Sequence, residues 1–293
     1  FPEELKKDET QEFIIVLATK RKFAILNMIK VSELLTRLDD VGKSNWYMQK
    51  IGYSVFGTSR NPKKYTQSIP FELLPLEITD TNSIKACVAE VIKRKHRLDI
   101  LINNAGVGIT GPMEEINADA IASNFATNCF GPLQMAQAVI PKMRDQSSGT
   151  IINITSIASY MGLPFRGPYS ASKSALSIMS ESLRMEVKEF GIKVLTLAPG
   201  DYATDIASRR YHSPVINKSP YKKYKESLEE INKHVDKGNS PEEVAKAIAE
   251  ILTKKNPRVH YQVGSFLQKL SKTLKNILPS RIFEKLIMNH YKL

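Results

Sequence analysis

The sequence is poor in cysteine and has no apolar run long enough to cross a membrane. Its two cysteines, Cys87 and Cys129, cannot form a disulfide framework, and no cluster of cysteine and histidine has the spacing of a zinc site. The longest apolar run near the N-terminus is Phe13 to Ala18, whereas a membrane span needs about 20 residues. That run follows acidic residues and precedes no small-residue cleavage site, which is unlike a secretory signal. We therefore expect a cytoplasmic protein that binds no metal.

Positive charge is concentrated towards the C-terminal side of the sequence. The 293 residues include 42 Lys and Arg against 30 Asp and Glu, a net charge of +12. Lys254 to Leu293 contribute +8 of this, because Glu284 is their only acidic residue. Since the remaining residues are close to balanced in charge, the composition argues against a nucleic-acid-binding protein.

Apolar runs of strand length alternate with segments of helical periodicity. Strands are predicted at 53–58, 71–78, 98–102, 149–154 and 192–198, and helices at 83–95, 116–143 and 168–190, with a further helix opening at Ser240-Pro241-Glu242-Glu243. Strands separated by helices form β-α-β units with right-handed crossovers. We therefore expect a single α/β domain, with a doubly wound parallel sheet between two layers of helices. Ligands bind such sheets beyond the carboxyl ends of the strands.

Short polar motifs follow several of these strands. They are NNAG at 103–106, TNCFG at 127–131, NITS at 153–156, YSASK at 169–173 and PGDYAT at 199–204. Tyr169 and Lys173 are one helical turn apart, so they share a helix face. The other Y-x-x-x-K match, Tyr221 with Lys225, lies in a lysine-rich stretch and is interpreted as solvated surface. Over about residues 50–265, the set of motifs resembles the short-chain dehydrogenase/reductase family in its single-domain, Rossmann-type form, and within it the hydroxysteroid/retinol dehydrogenase-like branch.

The resemblance implies a role for four side chains. Tyr169 would exchange the proton with the reacting oxygen, and the Lys173 ammonium would favour the phenolate form and hold the nicotinamide ribose. Ser156 would donate a hydrogen bond to the substrate oxygen, unless it only caps a turn at the strand end. Asn128 would anchor a water that relays protons to the lysine, unless it is a helix-interior asparagine that only bonds to backbone.

The turn after the first of these strands bears on the choice of cofactor. In Thr58-Ser59-Arg60-Asn61 there is no carboxylate, and Arg60 offers a bidentate fork for a 2′-phosphate, which favours NADP over NAD. The alternative is that Arg60 is a solvated loop residue. The family's adenine-contacting acid falls on Glu77, where Asp is more usual. Further cofactor contacts implied by the resemblance are Ile78, Asn104, Ala105, Gly106, Tyr169, Lys173, Pro199, Gly200 and Thr204.

The glycine-rich phosphate loop of the family is altered in this sequence. The best candidate is residues 34–44, in which only Gly42 matches the expected T-G-x-x-x-G-x-G pattern and Arg37, Asp39 and Asp40 replace small residues. A rival first strand, Phe13 to Ala18, is followed by Thr19-Lys20-Arg21-Lys22, which contains no glycine. Either the loop is degenerate, giving a weak or inactive enzyme, or the first fifty residues carry reading-frame or assembly errors. We favour the second, because the family-like sequence resumes abruptly near position 52 and residues 28–30 resemble a natural start.

Three segments are therefore expected: an extension outside the fold at 1–27, a dinucleotide-binding domain at 28–265, and a basic amphipathic helical tail at 266–293. Residues 205–238 occupy the family's lid position and are too polar to be core. The tail has an apolar side and a lysine-rich side. It is expected to pack on the domain's own lid or, alternatively, to contact an anionic membrane.

The function that these observations favour is NADP-dependent hydride transfer between a hydroxyl and a carbonyl on a lipophilic small molecule, an apolar alcohol or ketone. One alternative is a β-ketoacyl reductase. Another is a catalytically silent binding protein on the same fold, which the altered glycine loop supports. Homo-oligomers, as dimers or tetramers, are common in the family, but nothing in this sequence fixes an oligomeric state. No nucleic-acid partner is expected.

Overall fold

A seven-stranded sheet organises the computed structural model, which describes residues 15–20, 53–64, 72–201, 210–213, 219–236 and 242–293. The strands in this part of the chain are β1 (Ile15–Lys20), β2 (Tyr53–Ser59), β3 (Glu72–Pro75), β4 (Ile100–Asn103), β5 (Ile109–Thr110), β6 (Gly149–Ile154), β7 (Ile192–Pro199), β8 (Tyr211–His212) and β9 (His260–Val263). The main sheet has the order β3-β2-β1-β4-β6-β7-β9, and β5 pairs with β8. The α/β class with a doubly wound sheet is thus confirmed.

The helices that accompany these strands are α1 (Thr81–Lys95), α2 (Ala118–Phe125), α3 (Gly131–Asp145), α4 (Gly167–Glu186), α5 (Tyr224–Asp236), α6 (Glu242–Thr253), α7 (Phe266–Ile277) and α8 (Ser280–His290). A π-helical turn, Ala126–Phe130, joins α2 to α3. The capping residues predicted at Ser240 and Pro241 lie outside the described residues, immediately before α6.

Strand β1 runs against its neighbours. It is antiparallel to both β2 and β4, whereas β2 and β3 are parallel to each other, as are successive pairs among β4, β6, β7 and β9. The sheet is therefore mixed rather than wholly parallel, and Ile15–Lys20 lies inside it, which corrects the expectation that all of residues 1–27 lie outside the fold. The physical reason is that the apolar run supplies backbone partners to β2 and β4, which would otherwise present two unpaired edges.

The direction of β1 also decides where the chain leaves it. Lys20, the last residue of β1, lies opposite Tyr53, the first residue of β2. Lys20 therefore lies at the edge of the sheet where the parallel strands begin, away from their carboxyl ends.

Two apolar clusters cover the two faces of the sheet. Leu101 and Ile151 belong to a cluster with α1 and α3, whereas Ile102 and Ile152 belong to a cluster with α6. Consecutive residues fall into different clusters because successive side chains of a strand point to opposite faces. The result is the three-layer arrangement that the alternation of elements predicts.

The lid region contributes buried side chains, contrary to the expectation that it is too polar for a core. Strand β8 pairs in parallel with β5. Arg210, Tyr224 and Ser227 are all buried, because the tail and the loop before β5 cover them. Tyr221 and Lys225 are exposed, as predicted for the second Y-x-x-x-K match.

Helices α7 and α8 pack on the domain through one side. The Lys272 ammonium lies 4.4 Å from the centre of the Tyr160 ring, which follows β6. The Ser227 hydroxyl of α5 donates a 2.6 Å hydrogen bond to the Tyr291 carbonyl oxygen at the end of α8. These contacts agree with packing of the tail on the domain's own lid.

The other side of the tail carries apolar side chains that face away from the domain. Phe266, Leu267 and Ile277 are each more than 70% exposed, with Lys269 and Lys275 exposed on the same helix. Contact of this side with an anionic membrane surface stays a prediction. None of the described helices has both the length and the apolar composition that crossing a bilayer requires.

Candidate active site

The predicted site residues meet at one edge of the main sheet. Strands β2, β4, β6 and β7 point in the same direction, since β2 and β4 are both antiparallel to β1. Their carboxyl ends therefore share an edge, at which the chain continues with Arg60 after β2, Asn104 after β4, Ser156 after β6 and Gly200 after β7. The structure thus brings together motifs that are up to 140 residues apart in the sequence.

Helix α4 places Tyr169 and Lys173 over this edge. The helix begins with Gly167-Pro168, and proline is favoured in the first turn because its missing N–H has no partner there in any case. Tyr169 and Lys173 lie one turn apart and are 7% and 3% exposed, respectively. The Tyr169 ring packs in an apolar cluster with Ile109, Ile116 and Ala158.

The ammonium group of Lys173 is fixed between α4 and β6. Its Nζ donates a 2.9 Å hydrogen bond to the carbonyl oxygen of Ile154, the last residue of β6. A Cβ atom at Gly106 would lie only 3.1 Å from this Nζ, so the loop after β4 approaches the lysine closely where the chain has glycine. Burial lowers the pKa of Lys173 to about 8, because desolvation disfavours the charged form.

Ser156 opens a short 3-10 turn, Ile157–Tyr160, directly after β6. Its Oγ accepts a 3.2 Å hydrogen bond from the backbone N–H of Ala158. Ala158 packs in one apolar cluster with Tyr169, Ile109 and Ile116, which places the turn beside the tyrosine. The hydroxyl caps the turn, as one alternative predicted, and donates no hydrogen bond to a described residue, so that it can also donate to a bound molecule.

Asn128 lies in the π-helical turn and is completely buried. Its Oδ1 accepts from the backbone N–H of Val107 at 2.8 Å, and its Nδ2 donates to the Val107 carbonyl oxygen at 3.0 Å. Nδ2 also lies 3.1 Å from the Ser172 hydroxyl, on the helix that carries Lys173. The side chain therefore holds the loop after β4 against α4, and a role in proton relay stays a prediction.

A buried amide network supports the edge and was not predicted. Asn103, the last residue of β4, donates from Nδ2 to the Asn153 Oδ1 at 2.8 Å and to the Pro132 carbonyl oxygen at 3.0 Å. Asn153 donates in turn to the Ser180 hydroxyl of α4 at 2.8 Å. The two asparagines belong to the NNAG and NITS motifs, so their polarity within otherwise apolar strands was the available signal.

The predicted cofactor contacts are dispersed along the same edge. Arg60 is exposed at the end of β2, and Ala105 is buried after β4. The Glu77 carboxylate accepts from the backbone N–H and the hydroxyl of Thr79, at 3.2 and 2.9 Å, so it stabilises its own turn. Ile78 is fully buried in the core.

Further positions lie at the end of β7, and two lie outside the described residues. The backbone N–H of Gly200 donates to the Val263 carbonyl oxygen at 2.8 Å. Gly200 also contacts Gln268 of α7 so closely that a Cβ atom would overlap it, with Pro199 immediately before it. Gly42 and Thr204 are outside the described residues.

Two arginines lie near Tyr169, and neither was predicted as a site residue. The Arg166 guanidinium carbon lies 5.1 Å from the centre of the Tyr169 ring. Arg210 is 6% exposed, and burial together with the nearby Arg166 charge lowers its pKa to about 10. Asp201 interacts electrostatically with both guanidinium groups. Arg166 had a local signal, since it precedes the Y-x-x-x-K tyrosine by three residues.

Comparisons with known proteins agree on the family. Residues 48–214 match the family model described as short chain dehydrogenase. A 3-ketodihydrosphingosine reductase from Bacteroides thetaiotaomicron is 37% identical over 235 residues, which cover 80% of this chain and 87% of that protein. A short-chain dehydrogenase from Streptomyces avermitilis has a crystal structure that matches with a TM-score of 0.65 and 29% identity, covering 80% of this chain and 89% of that one. The structure of ElxO with NADP bound matches in fold, with a TM-score of 0.62 and 24% identity over 75% of this chain and 90% of that one.

The burial of Lys173 predicts a specific dependence of stability on pH. Its pKa is about 8 in the folded protein against an ordinary value of 10.5, so the unfolded chain binds more protons between these values. The free energy of unfolding should therefore rise as pH increases through this window, and the contribution is absent in Lys173→Met. Between about pH 7 and pH 10, the parent should gain about 3 kcal/mol relative to the variant. Urea unfolding of both proteins without cofactor measures this difference, and parallel pH profiles would contradict it.

Proposed function

Since the chain belongs to the short-chain dehydrogenase family and is an oxidoreductase of that type, we propose that it reduces a ketone on a lipophilic molecule with NADPH. The observation that carries the proposal is the convergence of Ser156, Tyr169 and Lys173 at the carboxyl ends of β4 and β6. When bound, the nicotinamide supplies the hydride that adds to the carbonyl carbon. The tyrosine supplies the proton that the resulting oxygen requires.

Each of these side chains has a defined task in the proposed reaction. The Tyr169 hydroxyl donates its proton to the carbonyl oxygen as negative charge develops there. The Ser156 hydroxyl donates a hydrogen bond to the same oxygen and stabilises that charge. The Lys173 ammonium favours the phenolate that remains on Tyr169 and binds the ribose hydroxyls of the cofactor.

The site supports a nicotinamide cofactor in two places. Gly106 leaves room beside Lys173 that any side chain would fill, since a Cβ atom there would lie 3.1 Å from Nζ. At the end of β2, Arg60 is exposed with no acidic residue between Thr58 and Asn61. This favours binding of the 2′-phosphate of NADPH over selection for the NADH ribose.

The proposed substrate is a long-chain ketone of the 3-ketodihydrosphingosine class. The support is the 37% identity to the bacterial 3-ketodihydrosphingosine reductase over 80% of this chain. Ile109, Ile116 and Ala158 form an apolar cluster with Tyr169, which suits an apolar group close to the reacting carbon. A β-ketoacyl carrier-protein thioester is the competing substrate class, and assays of both against NADPH consumption separate them.

Tyr169→Phe tests the assignment of the proton donor. General acid catalysis contributes roughly 10²–10⁴-fold, so turnover of the ketone should fall at least about a hundredfold. The affinity for NADPH should change little, because the phenyl ring remains in place. The matched control is Tyr221→Phe, in the exposed Y-x-x-x-K match, which should keep the parent rate. Near-parent turnover in Tyr169→Phe would contradict the assignment.

Arg60→Ala tests the choice of cofactor. A charge-assisted hydrogen bond is worth about 1.5–3 kcal/mol, so the preference for NADPH over NADH should fall about tenfold or more. Lys63→Ala removes an equal charge at the same corner and should leave the preference nearly unchanged. Dissociation constants for both coenzymes measure the effect. Equal weakening of NADPH and NADH in Arg60→Ala would mean that Arg60 does not bind the 2′-phosphate.

The altered glycine loop predicts weak cofactor binding by the chain as written. Arg37, Asp39 and Asp40 replace small residues, and two carboxylates repel a pyrophosphate. A TGxxxGxG loop of normal length between Leu35 and Lys43 should improve NADPH affinity at least about tenfold and raise turnover with it. Replacing only the two aspartates with asparagine measures the charge effect alone. Titration of NADPH fluorescence reads out affinity, and micromolar binding by the unmodified chain would refute the prediction.

A further inference from the structure

The residue that follows helix α8, Tyr291, is firmly held inside the domain. Its side chain is 5% exposed, although most of α8 lies on the surface. Its carbonyl oxygen accepts the 2.6 Å hydrogen bond from the buried Ser227 hydroxyl, and its backbone N–H donates to the Ile287 carbonyl oxygen at 3.1 Å. A buried tyrosine hydroxyl needs a polar partner, since leaving it unpaired costs free energy.

That partner is Arg166, which connects Tyr291 to the candidate proton donor. The Tyr291 side chain interacts with the Arg166 guanidinium: burial opposes the arginine's charge, and Tyr291 helps to raise the pKa of Arg166. The same guanidinium lies over the Tyr169 ring, 5.1 Å from its centre. Arg166 itself precedes the first turn of α4, so its backbone is fixed by the helix that carries Tyr169.

The tail holds the guanidinium from a second direction through Asp201. The Asp201 carboxylate interacts electrostatically with Arg166, and its Oδ2 accepts a 2.8 Å hydrogen bond from Nε2 of Gln268 in α7. Gln268 is fixed by the capping box that it forms with Ser265 at the start of α7. The start of α7, through Asp201, and the residue after α8 therefore both act on Arg166.

We propose that Arg166 is a positioning residue for Tyr169 and that Tyr291 holds Arg166 in place, so that the tail is a functional part of the active site. This inference rests on the proposed function, in which Tyr169 is the proton donor. The guanidinium restrains the ring from above, and its positive charge favours the phenolate form of the tyrosine. Lysine could not replace it fully, because a single ammonium lacks the planar fork that reaches the ring and the Tyr291 hydroxyl together.

The charges around Tyr169 make the expected direction definite. Among the described residues, Lys173 lies one turn along the same helix and Arg210, before β8, also interacts with Tyr169. Asp201, after β7, and Tyr291, in the tail, interact with Arg166. Desolvation opposes the charge on Arg166, but Tyr291, Tyr169 and Asp201 together raise the pKa of its guanidinium. Arg166 is therefore charged at every pH used in an assay, and removing it makes the phenolate less favourable.

The test compares pH profiles of kcat in both reaction directions for the parent, Arg166→Met, Arg166→Lys and Tyr291→Phe. In Arg166→Met, the pH midpoints of kcat should rise by about one unit. Alcohol oxidation near neutral pH, which needs the phenolate, should then fall about tenfold, with KM within about twofold of the parent. In Arg166→Lys, the pH midpoint of kcat should lie close to the parent value. In Tyr291→Phe, the midpoint should rise, but by less than in Arg166→Met.

Matched controls separate this effect from general damage to the fold. Lys254→Met removes another cation that lies over a tyrosine ring, 4.9 Å from the centre of Tyr261 and away from the site, and should leave the profile unchanged. Thermal unfolding identifies any variant whose fold is damaged. If Arg166→Met is damaged, the pH profile of Arg166→Lys tests the role of the arginine instead.

Two outcomes would overturn the inference. The first is an unchanged midpoint in Arg166→Met and Tyr291→Phe. The second is a rise in KM alone, strongest for ketones that carry a carboxylate, which would assign Arg166 to substrate binding. Tyr169→Phe, measured beside these variants, distinguishes failure of this inference from failure of the proposed function. If that variant is inactive while Arg166→Met keeps the parent profile, only the inference fails, whereas an active Tyr169→Phe refutes the proposed proton donor.

Discussion

The buried ammonium of Lys173 constrains the geometry of the whole site. Taking a charge out of water costs several kcal/mol unless it finds a partner, and here the Ile154 carbonyl oxygen accepts its hydrogen bond at 2.9 Å. Together with the bond from Asn153 to Ser180, this bond holds α4 against β6. Tyr169, one turn earlier on α4, and Ser156, two residues after Ile154, are thereby fixed relative to each other. Gly106 completes the arrangement, because a Cβ atom there would lie 3.1 Å from Nζ and would require the lysine to shift.

The charges nearby give the site a positive character that its apolar surroundings strengthen. Arg166 and Arg210 both lie near Tyr169, and the proximity of the two guanidinium groups contributes to the low pKa of Arg210, about 10. Asp201 is the carboxylate that acts on both. A reaction in which negative charge develops on a carbonyl oxygen and then on a phenolate is favoured in such surroundings.

Those parts of the fold and the site that depend on local pattern could be predicted from the sequence. The strands at 149–154 and 192–198 could be predicted because a buried strand is a short continuous apolar run. Helix α4 could be predicted from the spacing of its apolar residues. Tyr169 and Lys173 could be paired because four residues is one helical turn. Their convergence with Ser156 could be predicted because the carboxyl ends of parallel strands share an edge.

The remaining features depend on contacts between distant segments, for which a single sequence carries no signal. The direction of β1 is decided by its pairing with β2 and β4, and an apolar run reads the same in either direction. The bonds of Asn128 to Val107 depend on a π-helical turn, which the spacing of apolar residues does not predict. Tyr291 meets Arg166 only because α7 and α8 fold back over the lid, and the two residues are 125 positions apart.

Tracing the hydride from NADPH to the product is the most direct test of the proposed reaction. The protein is incubated with NADPH that carries deuterium on the reactive face of the nicotinamide carbon and with a 3-ketodihydrosphingosine, and the product alcohol is analysed by mass spectrometry. The account predicts one deuterium on the carbon that bore the ketone. Product without deuterium, or reduction of a β-ketoacyl thioester while the long-chain ketone stays unchanged, would contradict it.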